Sequence, residues 1–343
     1  MPGLFQAILK VSLVSALIGY LGYLTVCFIP NPSQFRYEQS SIQNTGRRLQ
    51  SRNETISSPP LHSSDIALCL ITKDDLDLEE WVTYHLAIGI GRIYIFDNNS
   101  TRISVIPMLH TFITRGQVVY RYLSDPLPLP ILHGEPPRIK NKQAYAYRKC
   151  LREFRNQHHF IGFIDSDEYI VIKNKMDTLL SILENYRNFG GLTLNWMVFG
   201  TSGHVQRPSG GVLANYFKCH PHRLVKTIVN TKFVKDIGGT PHNFVYKHGY
   251  YAVDSNFSKV PLYANPPEVP QIPAYLFEKI YLNNYELKSQ EDYLLKMKRG
   301  RADLPDVANP LSRIEAIDSA CTDTCELLQM PSPRRVLETD NSE

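Results

Sequence analysis

Three carboxylates crowd into four residues at Asp165-Ser166-Asp167-Glu168, between two apolar runs, Phe160 to Ile164 and Tyr169 to Ile172. Carboxylates wedged between buried strands repel one another and lose hydration, which is costly unless a cation or hydrogen bonds offset it. One reading is a divalent-metal site at the carboxyl end of a central strand; the other is a solvated acidic turn. In an extended segment alternate residues point the same way, so Asp165 and Asp167 can converge on one ion while Ser166 points aside. Such hard oxygen donors suit Mn²⁺ or Mg²⁺. A nucleotide-sugar enzyme would use that ion to offset the charge of a departing diphosphate. It would also need a base if the reaction inverts configuration. Asp97, at the end of an earlier strand, is a candidate for the ribose or base, and Lys73 and Lys288 are candidates for the phosphates.

The elements that must position these groups follow an α/β pattern. Ile66 to Ile71 predicts a buried strand, Leu78 to Ile88 a helix and Arg92 to Phe96 a second strand. Glu79 and Glu80 fall in the helix's first turn, where its dipole favours them, and Gly89 and Gly91 end it. This is a βαβ unit whose ligand-facing loops are Thr72-Asp75 and Asp97-Ser100. Val118 to Tyr122 predicts a third strand, Asn141 to Phe154 a helix, Met176 to Tyr186 another, and Gly191 to Asn195 a strand. The run from Trp196 to His204 has the aromatic and glycine content of a binding loop. Segment 124–137 is Pro-rich and irregular. The C-terminal half is less regular, with a helix ending near Lys298, and the tail beyond Ala302 carries four prolines.

Val11 to Ile29 is uncharged. At ~1.5 Å per residue it reaches about 28 Å, close to a ~30 Å hydrocarbon core. An uncleaved signal anchor is favoured over a cleaved signal peptide, because Cys27-Phe28-Ile29-Pro30 is a poor cleavage site. The expected division is a cytoplasmic tail at 1–10, an anchor at 11–29, a flexible stem at 30–64, a catalytic domain at 65–302 and a C-terminal tail at 303–343. Asn53-Glu54-Thr55 is a glycosylation sequon in the stem, and further sequons begin at Asn98, Asn99 and Asn256. A formal net charge of +4 on 343 residues, with scattered basic side chains, excludes a nucleic-acid footprint. Five of the six cysteines lie beyond the anchor, so one would stay unpaired if the rest form disulfides; connectivity stays open.

Several segments together resemble glycosyltransferase family 92. They are Lys73-Asp74-Asp75 with Glu80-Trp81 and Tyr84-His85, Asp97-Asn98-Asn99-Ser100, Lys142-Gln143-Ala144-Tyr145, Phe163 to Tyr169, Trp196 with Phe199 to His204, Lys226 to Val229, Pro241 to Phe244, and Lys288-Ser289 with Lys298 to Arg301. The resemblance runs from about Ile66 to Ala302. It implies a GT-A type α/β fold (a Rossmann-like mixed sheet), a single-pass type II Golgi membrane protein with a luminal catalytic domain, and metal-dependent inverting transfer from a UDP-sugar donor, UDP-galactose above all, to a glycan or polysaccharide acceptor. It implies Mn²⁺ (or Mg²⁺) on Asp165 and Asp167. The nucleotide-sugar site would comprise Thr72, Lys73, Asp75, Glu80, Asp97, Asn98, Lys142, Gln143, Trp196, Gly200 and Lys288. The family's usual His-Tyr pair reads Asn284-Tyr285 here, which puts an amide where an imidazole ligand is expected. Asp254 and Glu278 lie in the part of the chain where the base belongs. Another UDP-sugar donor, or a catalytically weak glycan-binding relative, are the alternatives.

Overall fold

The computed structural model describes residues 60–123, 142–238, 240–263, 269–272, 275–300 and 309–331. The expected anchor, Asn53 and segment 124–137 lie outside these. Among the described residues no helix is long and apolar enough to cross a membrane.

The elements run β1 (Ile66–Thr72), α1 (Leu78–Ala87), β2 (Arg92–Asp97), two short helices α2 (Val105–Met108) and α3 (His110–Thr114), β3 (Val118–Tyr122), α4 (Lys142–Phe154), β4 (Phe160–Phe163), β5 (Glu168–Ile172), α5 (Leu179–Glu184), β6 (Gly191–Phe199), β7 (Lys218–Asn230), β8 (Val234–Ile237), β9 (Phe244–Tyr246), β10 (Ala252–Val253), β11 (Leu262–Tyr263), β12 (Val269–Pro270), β13 (Ile280–Asn284), α6 (Gln290–Lys298), α7 (Pro310–Ala320) and β14 (Asp323–Thr324). The main sheet is mixed, in the order β3-β2-β1-β4-β7-β6-β13-β5. Its first four strands are parallel; β7 runs antiparallel to both neighbours, and β5 runs antiparallel to β13.

β1 is buried along its whole length, and its alternate residues serve two cores. Leu68 and Leu70 face Trp81, Ile95 and Tyr169 on one side of the sheet. Ala67, Cys69 and Ile71 face Tyr147, Phe154 and Phe163 on the other. A strand covered on both faces reads as an unbroken apolar run. Cys69 bonds to Cys150 of α4, tying β1 to the helix that covers it.

β5 ends the sheet, so one side of its backbone lacks a strand partner. Helix α1 supplies side chains instead. Trp81 Nε1 donates to Glu168 O at 2.6 Å, Tyr84 OH donates to Ile170 O at 2.8 Å, and Ile170 N–H donates to His85 Nε2 at 3.3 Å. His85 Nδ1 lies 2.9 Å from Trp81 O. This is the neutral tautomer with Nδ1 protonated, and burial holds its pKa down at about 3.

Three features differ from the sequence reading. β6 continues through Trp196 to Phe199 rather than ending at Asn195, with a bulge between Asn195 and Trp196. β7 is a long strand that its Pro221 and interspersed His and Lys residues hid; it carries Lys226, Thr227 and Asn230 into the interior. Residues 309–331 are part of the same compact unit, although the domain was expected to end at 302. Asn309 caps α7 by accepting from Ser312 N, and Ile314 and Ile317 pack with Leu287 and Tyr293. Cys325 bonds to Cys219 of β7, leaving Cys321 as a free buried thiol.

Candidate active site

Parallel pairing sets Thr72 beside Asp97 and Asp97 beside Tyr122, while β4 joins β1 with Cys69 opposite Phe163. The loops after β1, β2 and β4 therefore gather on one rim, the carboxyl edge where open α/β sheets take ligands. The Asp165–Glu168 turn stands on that rim. Glu168 N donates to Asp165 O at 3.1 Å, and Asp165 N donates back to Glu168 Oε2 at 2.8 Å. Ser166 points aside and donates its hydroxyl to Asp75 Oδ2.

Each carboxylate of the turn has a distinct setting. Asp165 Oδ1 accepts a close contact from Gln143 Nε2 and a 3.0 Å bond from Tyr147 OH; its Oδ2 lies 2.9 Å from Lys226 Nζ. Asp167 Oδ2 lies 2.5 Å from Lys296 Nζ, and Asp167 O accepts from Tyr285 N. Burial pushes Asp167 upward, but the Lys296 ammonium outweighs it and the net pKa is lowered. Glu168 is sealed from solvent, 3.8 Å from Lys226, and accepts from Asn284 Nδ2 at 3.3 Å. Burial, reinforced by Asp165 and Asp167, holds its carboxyl well above the ordinary range despite Lys226. Lys226 is itself buried, yet Asp165 and Glu168 keep its pKa raised.

A second charge cluster fixes the neighbouring loop to α6. Lys288, at φ +54°, donates to Asp75 Oδ1 at 2.9 Å and Asp77 Oδ2 at 2.6 Å. Burial opposes ionisation of Asp75, but Lys288 and Ser166 hold it well below the carboxylate range. Arg207 bridges Asp77 and Asp292, the latter at 2.8 Å. Ser289 caps α6 by accepting from Asp292 N, so the helix starts where Lys288 is anchored. The last turn of α6 then delivers Lys296 and Arg299 to the rim.

These parts enclose an open cleft of roughly 640 Å³ lined by Thr72, Lys73, Gln143, Asp165, Asp167 and Arg299, among others. A second, tighter recess adjoins it, sharing Asp167, Lys296 and Arg299. The cleft has two carboxylates for a hard cation and basic groups for an anion. The carboxylates of Asp165 and Asp167 fit a divalent ion, and the ammonium groups on them show that both already attract cations. Asn284 does not complete the set, because its Oδ1 accepts from Glu286 N at 2.9 Å and its Nδ2 points to Glu168. Among the described residues no group of three His, Cys, Asp or Glu side chains is placed to hold a metal.

The model of the family described as glycosyltransferase family 92 matches residues 67–297. The chain belongs to glycosyltransferase family 92. A family 92 protein of rice (Oryza sativa subsp. japonica) is 32% identical over 142 residues, 40% of this chain and 22% of the relative. One from Arabidopsis thaliana is 24% identical over 184 residues, 50% of this chain and 30% of the relative. The matched segments thus span less than a third of these plant proteins. Among solved structures, GalNAc-T7 with UDP, GalNAc and Mn²⁺ superposes with a TM-score of 0.27 at 5% identity, over 40% of this chain and 23% of that one. HddC from Yersinia pseudotuberculosis gives 0.32 at 11% identity, over 68% and 99%. Neither superposition bears on the chemistry.

Within this family 92 domain the sequence-read residues separate into three groups. Thr72, Lys73, Asn98, Gln143, Asp165 and Asp167 meet at the cleft. The Thr72 hydroxyl oxygen is sealed and makes no hydrogen bond, and Lys73 Nζ donates to Arg299 O at 3.0 Å. Lys142 opens α4 one residue before Gln143. Asp75 and Lys288 line the adjoining recess but are paired with each other.

Others serve the scaffold. Asp97 accepts from Ser100 N, Ser100 Oγ and Tyr120 OH, so both its oxygens hold the loop. Glu80 accepts from Val212 N, Leu213 N and Tyr169 OH, bracing a turn. Trp196 packs edge-on to His242, ring centroids 5.3 Å apart. A Cβ on Gly200 would meet Asp318 Oδ1 at 2.5 Å, so that glycine admits α7 rather than a ligand.

Neither candidate base lines the cleft or the recess beside it. Asp254 follows β10, which pairs with the start of β6, and its Oδ1 accepts from Asn256 N and Ser258 N. Glu278 is exposed before the start of β13. Sequence reasoning assigned no part to Lys226, Lys296, Tyr147 or Arg207. The legible signal was Lys226, a lone charge inside the apolar run Leu224 to Val229.

Proposed function

We propose that the chain transfers a hexose, galactose from UDP-galactose, to a glycan acceptor, with inversion and with Mn²⁺ or Mg²⁺, on a GT-A type domain. The observation that carries this reading is the cleft in which Asp165 and Asp167 stand beside Lys73, Lys296 and Arg299. Asp165 and Asp167 would hold the metal, which supplies charge neutralisation to the departing diphosphate. Gln143 and Tyr147 orient Asp165, and Lys226 with Glu168 fixes the turn that carries both aspartates. An acceptor hydroxyl attacks the anomeric carbon, the bond to UDP breaks, and a base takes the hydroxyl proton. Asp254 and Glu278 do not line the cleft, so the group that fills this role is left unassigned. Two disulfides suit an oxidising compartment, in keeping with a luminal domain of a type II Golgi membrane protein.

A second reading has one specific support. Asn284 is committed to Glu168 and Glu286, which leaves two aspartates as metal ligands and favours a catalytically weak glycan-binding relative. Calorimetry with UDP and Mn²⁺, followed by UDP release from UDP-galactose, UDP-glucose and UDP-GlcNAc, separates the two. Turnover with UDP-galactose that Asp167→Asn abolishes without changing the melting temperature supports the transferase. UDP–Mn²⁺ binding without turnover on any donor supports the binding relative. Absence of both binding and turnover refutes the donor site.

A further inference from the structure

Two ammonium groups stand on the two aspartates, and they are not equivalent. Lys226 projects from β7, is 1% exposed, and is held by Glu168 as well as Asp165. Withdrawing it would leave Glu168 uncompensated in the interior, so it is fixed. Lys296 projects from the last turns of α6, is 24% exposed, and lines both the cleft and the recess. Besides Asp167 it donates to Glu286 O at 3.2 Å. A lysine stem is flexible and its ammonium is a compact point charge, so Lys296 can leave Asp167 without moving its helix. Arg299 and Lys73 line the same cleft, so the freed ammonium stays among groups suited to an anion.

We propose that Lys296 is the resident cation of the metal-free site: its ammonium and the divalent ion occupy Asp167 in alternation, and the displaced ammonium passes to the donor's diphosphate. This rests on the metal-dependent reading above. It requires metal alone to bind weakly, because it must displace a paired ammonium. A nucleoside diphosphate gives that ammonium a new partner, so nucleotide and metal bind cooperatively. Such coupling is reciprocal and commonly amounts to about 5–150-fold. A lysine that only braced α6 would behave differently, since its removal would loosen the site for both ligands.

The test uses the full chain and Lys296→Met, which keeps the apolar stem and removes the charge, with Lys296→Gln as a second variant. Free Mn²⁺ is followed by paramagnetic resonance, and UDP binding by calorimetry. Without nucleotide, Mn²⁺ should bind either variant about tenfold more tightly than wild type. At saturating Mn²⁺, UDP should bind about tenfold more weakly, and the factor by which UDP tightens Mn²⁺ should shrink from the upper to the lower part of that range. Unchanged Mn²⁺ affinity, or Mn²⁺ and UDP affinities that fall together, overturns the proposal while leaving the metal site standing. No Mn²⁺ binding to wild type or variants, with or without UDP, overturns both.

Discussion

Replacing Lys226 with methionine isolates the buried charge that supports the acidic turn. The ammonium lies 2.9 Å from Asp165 Oδ2 and 3.8 Å from Glu168 Oε2, with Lys226 and Glu168 both sealed from solvent. Removing one member of a buried ionic group costs about 3–5 kcal/mol, chiefly the penalty of leaving its partner charged and unpaired. In a domain of this size a kcal/mol corresponds to roughly 2–4 °C, so Lys226→Met should lower Tm by about 6–20 °C.

The loss should also depend on pH. Glu168 has a folded pKa raised above its unfolded value, so stability falls as pH rises from the unfolded pKa toward the folded one. Without the ammonium that pKa rises further, and the deficit of Lys226→Met should be larger at pH 8 than at pH 5. Lys226→Met combined with Glu168→Gln removes the stranded charge and should recover about 2 kcal/mol of the loss. Thermal and urea denaturation at both pH values measure this. A Tm within 2 °C of wild type, or a double variant that merely adds the two single losses, refutes the argument.

Three further outcomes follow from features described above. His85 is held neutral in the fold, with a pKa of about 3 against roughly 6.5 when unfolded, so its contribution is lost as pH falls between those values; at pH 5, unfolding of His85→Gln should take up about one proton fewer than wild type, read from the slope of stability against pH. Gly200→Ala forces a methyl group against Asp318 and should cost about 1–3 kcal/mol, with faster proteolysis within residues 309–331, checked by denaturation and limited digestion. Expressed through a secretory pathway, the chain should carry glycan at exposed Asn256 and none at buried Asn98, and Asn256→Gln should remove one glycosidase-sensitive mass increment.

The α/β pattern was legible where apolar runs are clean. β1, α1, β2 and β4 fall within a residue or so of their expected bounds because each is a short apolar or amphipathic segment with an obvious stop. β7 was not legible, because its sheet-buried polar residues Lys226, Thr227 and Asn230 mimic a loop. The tail was misjudged for another reason: its attachment depends on the Cys219–Cys325 bond and on Asp318 accepting from Thr201, partners more than a hundred residues away. At the site, residue type singled out Asp165 and Asp167 for a cation, and each pairs with a lysine ammonium, Lys226 and Lys296. It could not show that Asp97 and Glu80 are occupied in bracing loops, nor that Asp254 and Glu278 are absent from the cleft lining, since both depend on the tertiary fold. The Trp81, Tyr84 and His85 positions entered as part of the family resemblance with no role attached, and the structure assigns them to the backbone of β5.

Those three side chains have a consequence for the chain before it is safely folded. A terminal strand with bare amides and carbonyls is a template on which another molecule's strand can add, and charge or proline on the strand is the common protection. β5 reads Glu-Tyr-Ile-Val-Ile, with neither along most of its length. Its shield is an indole, a phenol and an imidazole from α1. A variant lacking one of them, such as Trp81→Phe or Tyr84→Phe, should therefore show its defect first as self-association during folding, with the yield of soluble protein reduced before the properties of the folded fraction change.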